Sequence, residues 1–539
     1  MPLSTDFMLK EFHTEKNSYL YCGKTNQIFC VDPVLVEIIP LYGRFSLDDI
    51  QHRLGEAFAA DEIVENYYVV DHLVYEHGFF RTGGLRKRIS PATEDHIRSE
   101  LEQDIQQMSL EVTQDCNLHC HYCAHSGGYA DRRGHGTRSM SRSVAQAAID
   151  FFFRENRNRE QHFSLGFYGG EPLLQFPLLK FCIEYARSLP WQCPEALSFS
   201  MTTNATLLDD EAVRFLVDHE VNVSITLDGP VEDHDAHRMD RNGRGSFTKV
   251  MAGLRRFNEI APGYQNLSIS CVLAPSSDLL RINDFFVQRR DLFRQIMTSS
   301  VTNGHQTLFQ EYLGDLDQQG QQQAILYRRY VEAHLQPGES VPDRPDMTFV
   351  RQLFERDFLS LQRRPIAAQP ASEIEVPGTC LPGKRKIFVD VEGKLHTCER
   401  IRNSCSIGDV WNGFDVPAVK RLHDEYVALM NREECLNCWA VHFCPACFAN
   451  MAEDGRLSLE RTQSLCQDTR DSLARTLRAY CTILERDPQA FDYMNESRFK
   501  LLTCSPDPDQ EVFCTDNSTG TLPEYGDEVT DLKSRVTVS

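Results

Sequence analysis

Residues 111–123 read Glu-Val-Thr-Gln-Asp-Cys-Asn-Leu-His-Cys-His-Tyr-Cys, and they hold the most informative pattern in the chain. Cys116, Cys120 and Cys123 have the spacing C-x3-C-x2-C directly after a short β-like segment. Three soft thiolates bind a four-iron four-sulfur cluster but leave one iron without a protein ligand. We therefore expect an iron–sulfur cluster whose open iron can hold a small chelating molecule.

Zinc is the alternative metal for this stretch, because His119, His121 or His125 could supply a fourth ligand. Structural zinc sites prefer four ligands, usually as paired C-x2-C knuckles. The spacing of the three cysteines favours the cluster, and zinc stays open on this stretch alone.

The same stretch resembles the signature of radical SAM enzymes, C-x3-C-x-aromatic-C, with Tyr122 in the aromatic position. The resemblance implies that the open iron holds the amino and carboxylate groups of S-adenosylmethionine. It implies that reductive cleavage then yields a 5′-deoxyadenosyl radical, which abstracts hydrogen from unreactive C–H bonds. It also implies an external electron donor of the flavodoxin or ferredoxin type.

Strand-like and helix-like patterns alternate between residues 109 and 274, which predicts a parallel sheet with helices outside it. Right-handed crossovers would curl this sheet into a barrel, and radical SAM enzymes have a partial (β/α)6 barrel. The predicted strands are Leu110–Val112, Phe163–Phe167, Leu197–Thr202, Val221–Leu227, Leu267–Leu273 and Ile296–Ser300. The predicted helices are Ser141–Phe153 with Ser141 as N-cap, Pro177–Leu189, Asp209–His219 and Phe247–Ile260.

Polar motifs follow the predicted strands at their carboxyl ends, where ligands bind in barrels and open α/β sheets. The resemblance implies that the Gly169-Gly170-Glu171-Pro172 turn meets the amino group of S-adenosylmethionine. It implies that Thr226 touches the ribose and that Arg238 pairs with the carboxylate, which suits a planar guanidinium. His234 and His237 are interpreted as part of a hydrated loop. The predicted cofactor-binding residues are Tyr122, Gly169, Gly170, Glu171, Thr203, Asn204, Thr226 and Arg238.

A second group of cysteines lies near the carboxyl end: Cys380, Cys398, Cys435, Cys438, Cys444, Cys447 and Cys466. Their pattern resembles the SPASM extension of radical SAM enzymes that modify peptides, although two residues rather than the usual three separate Cys444 from Cys447. The resemblance implies two auxiliary four-iron four-sulfur clusters, and hence three clusters in all. One is closed by Cys435, Cys438, Cys444 and Cys466, and the other is held by Cys380, Cys398 and Cys447. The fourth ligand position of this second cluster has no assigned cysteine, and either Cys405 or a substrate thiolate could fill it. Two C-x2-C knuckles also match a zinc ribbon, so zinc remains the alternative.

The amino-terminal residues predict a β-hairpin over Asn17–Asp32, three helices (Pro33–Leu41, Leu47–Phe58 and Ile63–Glu76) and a strand beginning at residues 78–80. This order resembles the small winged-helix domain of many peptide maturases. Such domains bind a leader peptide by adding a strand to their sheet. A packing module is the alternative interpretation.

The predicted architecture is an α/β radical SAM barrel with a small winged-helix-like α+β domain before it and a cysteine-rich iron–sulfur domain after it. The expected boundaries are 1–90 for peptide recognition, 105–300 for the barrel, 301–377 for a helical bridge, 378–485 for the SPASM domain and 486–539 for an acidic, mobile tail.

Composition limits the partners and the compartment. The 539-residue chain has a formal net charge of −22, which argues against sequence-independent nucleic-acid binding. We expect no membrane span, because no run of about 18 apolar residues occurs. Nineteen cysteines and no secretory signal indicate metal or redox chemistry in the cytoplasm rather than disulfides.

These features predict an oxidoreductase that removes hydrogen from a residue of a ribosomal precursor peptide with a leader and then installs a crosslink. A cysteine thioether is the first hypothesis for that crosslink. Carbon–carbon or carbon–oxygen crosslinks and oxidation of a sulfatase residue to formylglycine are the enzymatic alternatives. A zinc-stabilised, peptide-binding adaptor is the alternative outside enzymes. The sequence identifies no general base.

Overall fold

The computed structural model describes residues 8–80, 84–101, 105–123, 125, 134–293, 295–301, 316–336, 340–374, 381–399, 406–453, 456–495 and 537–538. Cys380 and Cys405 lie outside the described residues, as does most of the predicted acidic tail. No helix in the described part of the chain is long and apolar enough to cross a bilayer.

A small antiparallel sheet and three helices come first. They are β1 (Leu9–His13), β2 (Ser18–Cys22), β3 (Gln27–Val31), α1 (Pro33–Ile38), α2 (Leu47–Leu54) and α3 (Ala60–Tyr75). The predicted hairpin is confirmed, since β2 and β3 pair Ser18 with Val31 and Cys22 with Gln27. The three helices are confirmed as well, whereas β1, which pairs with β2, was missed.

The strand predicted to begin at residues 78–80 is wrong for these residues. Gly78 and Phe80 have φ angles of 70° and 56°, which belong to a turn and not to a strand. Phe79 and Phe80 instead pack their rings against Phe29 of β3. They help to close a separate apolar core between the small sheet and α1–α3.

Six parallel strands form the barrel, in the order β4-β5-β6-β7-β8-β9. Its elements are α4 (Glu94–Leu101), β4 (Gln107–Thr113), α5 (Arg142–Asn156), β5 (Phe163–Gly169), α6 (Phe176–Ser188), β6 (Leu197–Thr203), α7 (Asp210–Asp218), β7 (Asn222–Thr226), α8 (Val231–His237), α9 (Phe247–Ile260), β8 (Leu267–Leu273), α10 (Leu279–Gln288) and β9 (Gln295–Ser300). The predicted fold class and the alternation of strands and helices are confirmed.

Local sequence explains several of these elements. The Ser141 hydroxyl accepts a hydrogen bond from Val144 N, so it caps α5 as predicted. Asp209 caps α7 in the same way through Ala212 N. Strand β4 is buried from Met108 to Thr113, as expected for a strand with covered faces in a parallel sheet.

The cysteine-rich segment continues the barrel sheet. Strand β10 (Lys386–Val389) runs parallel to β4 and pairs Val389 with Leu110. Strands β11 (Lys394–His396), β12 (Gly408–Asp409) and β13 (Gly413–Phe414) extend the sheet in antiparallel fashion. A pairing between residues almost 280 positions apart leaves no local sequence signal.

Helices and short strands complete the structure: α11 (Leu316–Leu335), α12 (Thr348–Gln362), α13 (Val416–Met430), α14 (Glu433–Leu436), α15 (Phe448–Met451), β14 (Ala452–Glu453), β15 (Arg456–Leu457), α16 (Leu459–Leu484) and β16 (Thr537–Val538). Strand β16 pairs antiparallel with β3, Thr537 opposite Cys30 and Val538 opposite Phe29.

The small N-terminal sheet packs on the cysteine-rich segment. A Cβ on Gly23 would lie 2.6 Å from the carbonyl oxygen of Trp439, so the hairpin turn approaches that segment at backbone distance. The ring of Tyr21 meets the ring of Trp439 edge-on at 6.1 Å. The outer face of the hairpin therefore shares a core with the barrel.

Candidate functional site

The three-cysteine loop leaves the carboxyl end of β4. Leu118 N donates to Cys116 Sγ at 3.4 Å, and His125 N donates to Cys123 Sγ at 3.4 Å. Burial raises the pKa of the Cys116 thiol to about 12, although the Leu118 N–H opposes this effect. Buried thiols with sulfur-directed amides suit a positively charged iron centre, which deprotonates its ligands. The donor set therefore fits the cluster that the sequence predicts.

Gly169 and Gly170 hold this loop against the end of β5. A Cβ on Gly169, which has a φ of 132°, would lie 2.1 Å from Thr113 O. A Cβ on Gly170 would lie 2.0 Å from Asp115 O. The backbone amides of Gly170 and Glu171 donate to the same two carbonyl oxygens, each at 2.9 Å. No side chain fits at either glycine without displacing the cysteine loop.

Glu171 connects three strands at this edge of the sheet. Its buried carboxylate accepts hydrogen bonds from Thr203 Oγ1 and Asn204 N, both at 2.7 Å. Burial raises the pKa of Glu171, while these hydrogen bonds act in the opposite direction. Asn204 Nδ2 in turn donates to Asn117 Oδ1 at 2.8 Å, inside the cysteine loop. The chain Glu171–Asn204–Asn117 thus fixes the loop to the ends of β5 and β6.

Arg238 lies at the centre of a buried network beside the cysteine loop. Its Nη1 donates to the Tyr122 hydroxyl at 2.8 Å, and its Nη2 donates to Thr226 Oγ1. The Tyr122 hydroxyl donates to Asp228, whose carboxylate lies 3.9 Å from the guanidinium. The Nε atom of Arg238 is buried and finds no acceptor among the described residues. This donor fits the predicted contact with a ligand carboxylate.

The interpretation of His234 and His237 as a hydrated loop is wrong, because both side chains are buried on α8. Asp228 N donates to His234 Nδ1 at 3.3 Å. His234 Nε2 donates to Ser246 Oγ at 3.0 Å, because the Ser246 hydroxyl donates its own proton to Arg238 O. Burial and the nearby Arg238 lower the pKa of His234 to about 2. The neutral ring therefore holds the residues around Asp228 and Arg238 in place.

Four of the carboxy-terminal cysteines come together around α14 and α16. The pKa of Cys435 is raised to about 11 by burial, which Arg88 opposes and the neighbouring sulfurs of Cys466, Cys444 and Cys438 reinforce. Burial and the neighbouring sulfurs of Cys444 and Cys438 raise the pKa of Cys466. The four sulfurs are thus near one another, and their assignment to one closed cluster stays a prediction. Arg88, which the sequence did not single out, points into this group.

The second predicted ligand set is described only in part. Cys398 follows β11 and packs with Cys444 against Tyr426 and Met430. Cys447 precedes α15, whereas Cys380 and Cys405 lie outside the described residues. Every described cysteine is a free thiol. In the described ranges, no three Cys, His, Asp or Glu side chains converge on a single ion-sized position.

Residues 110–273 match the family model of the Radical SAM superfamily. This segment is a radical SAM domain. The match begins in β4, contains the three-cysteine loop and ends with β8, so it includes all eight predicted cofactor-binding residues.

Curated relatives match over less than a third of the chain. A cysteine-type anaerobic sulfatase-maturating enzyme of Clostridium novyi is 27% identical over 159 residues, which is 29% of this chain and 41% of the relative. A serine-type anaerobic sulfatase-maturating enzyme of Bacteroides thetaiotaomicron is 30% identical over 145 residues, which is 26% of this chain and 33% of the relative. The chain thus spans less than half the length of these relatives.

The fold similarity extends beyond the matched sequence. The solved structure of native anSMEcpe with bound AdoMet and Cp18Cys peptide superposes with a TM-score of 0.52 at 19% identity. The superposition covers 73% of this chain and 99% of that one. The radical SAM match covers only residues 110–273, which is much less than 73% of the chain. The shared fold therefore extends beyond that match.

Proposed function

We propose that this chain is a radical S-adenosylmethionine oxidoreductase that removes hydrogen from a residue of a peptide substrate. The observation that carries the proposal is the position of Arg238. Its buried guanidinium lies beside the three-cysteine loop of a radical SAM domain and retains one donor, Nε, that has no acceptor among the described residues.

The residues around this donor have different binding roles. Cys116, Cys120 and Cys123 would hold a four-iron four-sulfur cluster, and Arg238 would hold the carboxylate of S-adenosylmethionine. When bound, these groups supply the hydrogen-abstracting radical. Glu171 orients Thr203 and Asn204 through its hydrogen bonds, and Gly169 and Gly170 leave room for the loop.

The proposed product is a cysteine thioether within a ribosomal precursor peptide. For the peptide, one C–H and one S–H bond are lost and one C–S bond forms, so its mass falls by two hydrogens. The hydrogen atom of the C–H bond would go to the 5′-deoxyadenosyl radical, the thiol proton would go to solvent, and the remaining electron would pass to an auxiliary cluster. The grouping of Cys435, Cys438, Cys444 and Cys466 supports one auxiliary iron–sulfur cluster. Cys380, Cys398 and Cys447 would hold the other, with its last position filled by Cys405 or by the substrate thiolate. A flavodoxin or ferredoxin would provide electrons, in a cytoplasm that keeps these thiols reduced.

The N-terminal sheet is proposed to receive the leader of the precursor as an added strand. Strand β3 is the edge that supports this role, because Thr537 and Val538 of the chain itself already pair with it in antiparallel register. The opposite edge strand, β1, lies near the end of α16. The carboxylate of Glu485, which directly follows α16, accepts hydrogen bonds from Thr14 after β1 and from Tyr19 in β2.

Formylglycine formation on a sulfatase is the second candidate function. The names of the two curated relatives described above favour it, since they are sulfatase-maturating enzymes of the cysteine and serine types. The two candidates share the radical step and differ in the substrate and in the final bond. Carbon–carbon or carbon–oxygen crosslinking differs from the first candidate only in that bond.

Anaerobic reconstitution tests the radical step and separates it from a zinc-stabilised adaptor. We expect brown protein that contains iron and sulfide and cleaves S-adenosylmethionine to 5′-deoxyadenosine under reduction. Replacement of Cys116, Cys120 and Cys123 by Ala should abolish cleavage while iron bound elsewhere remains. Colourless protein containing zinc, or cleavage that survives the triple replacement, would contradict the proposal.

A further inference from the structure

Arg88 is a buried cation in the segment between the N-terminal sheet and α4. Its side chain is 3% exposed. Asn431, at the end of α13, accepts hydrogen bonds from Arg88 N at 2.8 Å and from Ile89 N at 3.1 Å, and it donates to Ile89 O at 2.8 Å. This three-bond clamp fixes the backbone from which the Arg88 side chain projects.

The guanidinium of Arg88 is surrounded by sulfur. The sulfurs of Cys444, Cys435 and Cys466 all lie near it. Its Nη1 also contacts Met430 Sδ at 3.5 Å. Its Nε is buried without an acceptor among the described residues.

No carboxylate of the described residues forms an ion pair with Arg88, and this absence requires an explanation. A buried charge without a counter-charge costs several kcal/mol, and an arginine cannot lose its proton to avoid that cost. The described titratable groups near Arg88 are cysteine sulfurs, Tyr426 and His442. The Tyr426 hydroxyl donates its proton to Ala446 O and a histidine carries no negative charge, so the counter-charge is expected at the sulfurs. Four thiolates around an iron–sulfur cluster would provide it, since such a site carries net negative charge.

We propose that Arg88 is the fixed counter-charge and sulfur hydrogen-bond donor of the auxiliary cluster held by Cys435, Cys438, Cys444 and Cys466, and that it thereby sets the reduction potential of that cluster. The inference rests on the proposed function, because it requires iron at this site. Hydrogen bonds to cluster sulfurs and nearby charge both control such potentials. A fixed positive charge stabilises the more negative, reduced state, so Arg88 raises the potential.

The segment that carries Arg88 connects the N-terminal unit with the four-cysteine site and the barrel. The residue is separated from Cys435 by almost 350 positions, and its segment directly follows the unit proposed to bind the leader peptide. Leu85 N of the same segment donates to Leu436 O at 2.9 Å, next to Cys435. The segment is therefore built into the wall of the four-cysteine site on one side and continues into α4 of the barrel on the other.

The test is a redox titration of the auxiliary clusters by electron paramagnetic resonance, in full-length protein that carries the Ala replacements at Cys116, Cys120 and Cys123. Arg88→Met removes the charge and keeps an unbranched side chain beside Met430, whereas Arg88→Lys keeps the charge without the planar fork. Arg86→Met is the matched control, because Arg86 lies in the same segment and its guanidinium makes an exposed hydrogen bond to Ser372.

We expect one auxiliary signal to move to lower potential in Arg88→Met, to move less in Arg88→Lys and to stay in place in Arg86→Met. Loss of one cluster's iron in Arg88→Met with its retention in Arg88→Lys would support the same role. Unchanged potentials at full iron content would overturn the inference. Loss of the cluster in both Arg88→Met and Arg88→Lys, together with a lower melting temperature of the metal-free protein, would also overturn it, because that result would show that Arg88 only packs the fold. Zinc instead of iron in the unsubstituted site would refute the proposed function itself.

Discussion

Arg238 Nη1 donates a 2.8 Å hydrogen bond to the hydroxyl oxygen of Tyr122, and this contact joins the end of α8 to the three-cysteine loop. Tyr122 donates its own proton to Asp228, so the three groups form one buried unit. The aromatic residue of the cysteine signature therefore fixes the orientation of the arginine proposed to bind the cofactor carboxylate.

Replacement of Arg238 by Met should weaken binding of S-adenosylmethionine roughly tenfold to a hundredfold, because a hydrogen bond to a charged group contributes about 1.5–3 kcal/mol. It should also destabilise the fold by about 3–5 kcal/mol, because Asp228 would keep a buried charge without its partner. Anaerobic isothermal titration and thermal unfolding measure the two effects.

Arg281→Met provides the control for that prediction. Arg281 pairs with buried Asp233 through Nε at 2.7 Å, but its own side chain is 46% exposed. Its replacement should lower stability and leave the affinity for S-adenosylmethionine unchanged. Equal affinity loss in both variants would indicate a general effect of destabilising the barrel and not a binding role of Arg238.

Gly170→Ala should displace the cysteine loop, because the added Cβ would lie 2.0 Å from Asp115 O. Overpacking of this kind costs about 1–3 kcal/mol, and we expect loss of the iron held by the loop. Gly320→Ala is the matched control, since a Cβ there meets no atom within 4 Å and Ala favours the helix α11. Iron content after anaerobic reconstitution should fall in the first variant only, and full iron content in both would refute this account of the Gly-Gly turn.

Acid should destabilise the folded chain through buried neutral histidines. Burial lowers the pKa of His234 to about 2 and that of His334 to about 4, below the ordinary value of 6.5. Between each folded-state pKa and 6.5, the unfolded chain binds more protons than the folded chain. The stability that comes from burying the neutral ring is therefore fully present above pH 6.5 and is lost as the pH falls toward the folded-state pKa. Each group should cost about 1 kcal/mol between pH 7 and about pH 5.5.

His334→Gln tests the acid effect away from the cysteine sites. His334 lies among Tyr330, Phe358 and Phe491, with Arg351 and Arg344 near enough to lower its pKa further. The fall in melting temperature between pH 7 and about pH 5.5 should be smaller in this variant than in the unsubstituted protein. An identical fall in both would mean that His334 does not contribute.

Removal of the C-terminal strand should strengthen peptide binding if β3 is the edge that receives the leader. Deletion of residues 531–539 frees the backbone positions of Phe29 and Cys30 that now pair with Val538 and Thr537. Proline at 537 and 538 should act like the deletion, because proline cannot donate a backbone hydrogen bond, whereas alanine there should not. Fluorescence anisotropy of a labelled leader peptide measures the affinity, and unchanged binding in the deletion would argue against this edge.

Deleting residues 1–90 is a poor test of the recognition role. Tyr19, Tyr21 and Ile28 of the hairpin are part of the barrel's apolar core. The deletion would also remove Arg88 from the four-cysteine site. Loss of peptide binding in that truncation would therefore have several causes, whereas the strand-specific changes have one.

Much of the barrel was predictable from local patterns, and its long-range completion was not. The alternation of strands and helices, the Ser141 cap and the last barrel strand are present as predicted. The pairing of β10 with β4 and the burial of α8 depend on contacts that no window of sequence contains.

The candidate sites divide in the same way. The cysteine loop and the strand ends carry local motifs, so Cys116, Glu171 and Arg238 could be named in advance. Arg88 could not, because an Arg-Lys-Arg run ordinarily indicates a solvated segment. Only the fold shows that its last member is buried among sulfurs.

The mass of a cysteine-containing leader peptide substrate after anaerobic co-expression with this chain tests the central claim most directly. The account predicts a loss of two hydrogens per linkage, which disappears when Cys116, Cys120 and Cys123 are replaced by Ala, and fragmentation should place the new bond at a cysteine sulfur. An unchanged mass, with the clusters assembled and S-adenosylmethionine still cleaved, would contradict the thioether-forming function and favour protein targets such as sulfatases.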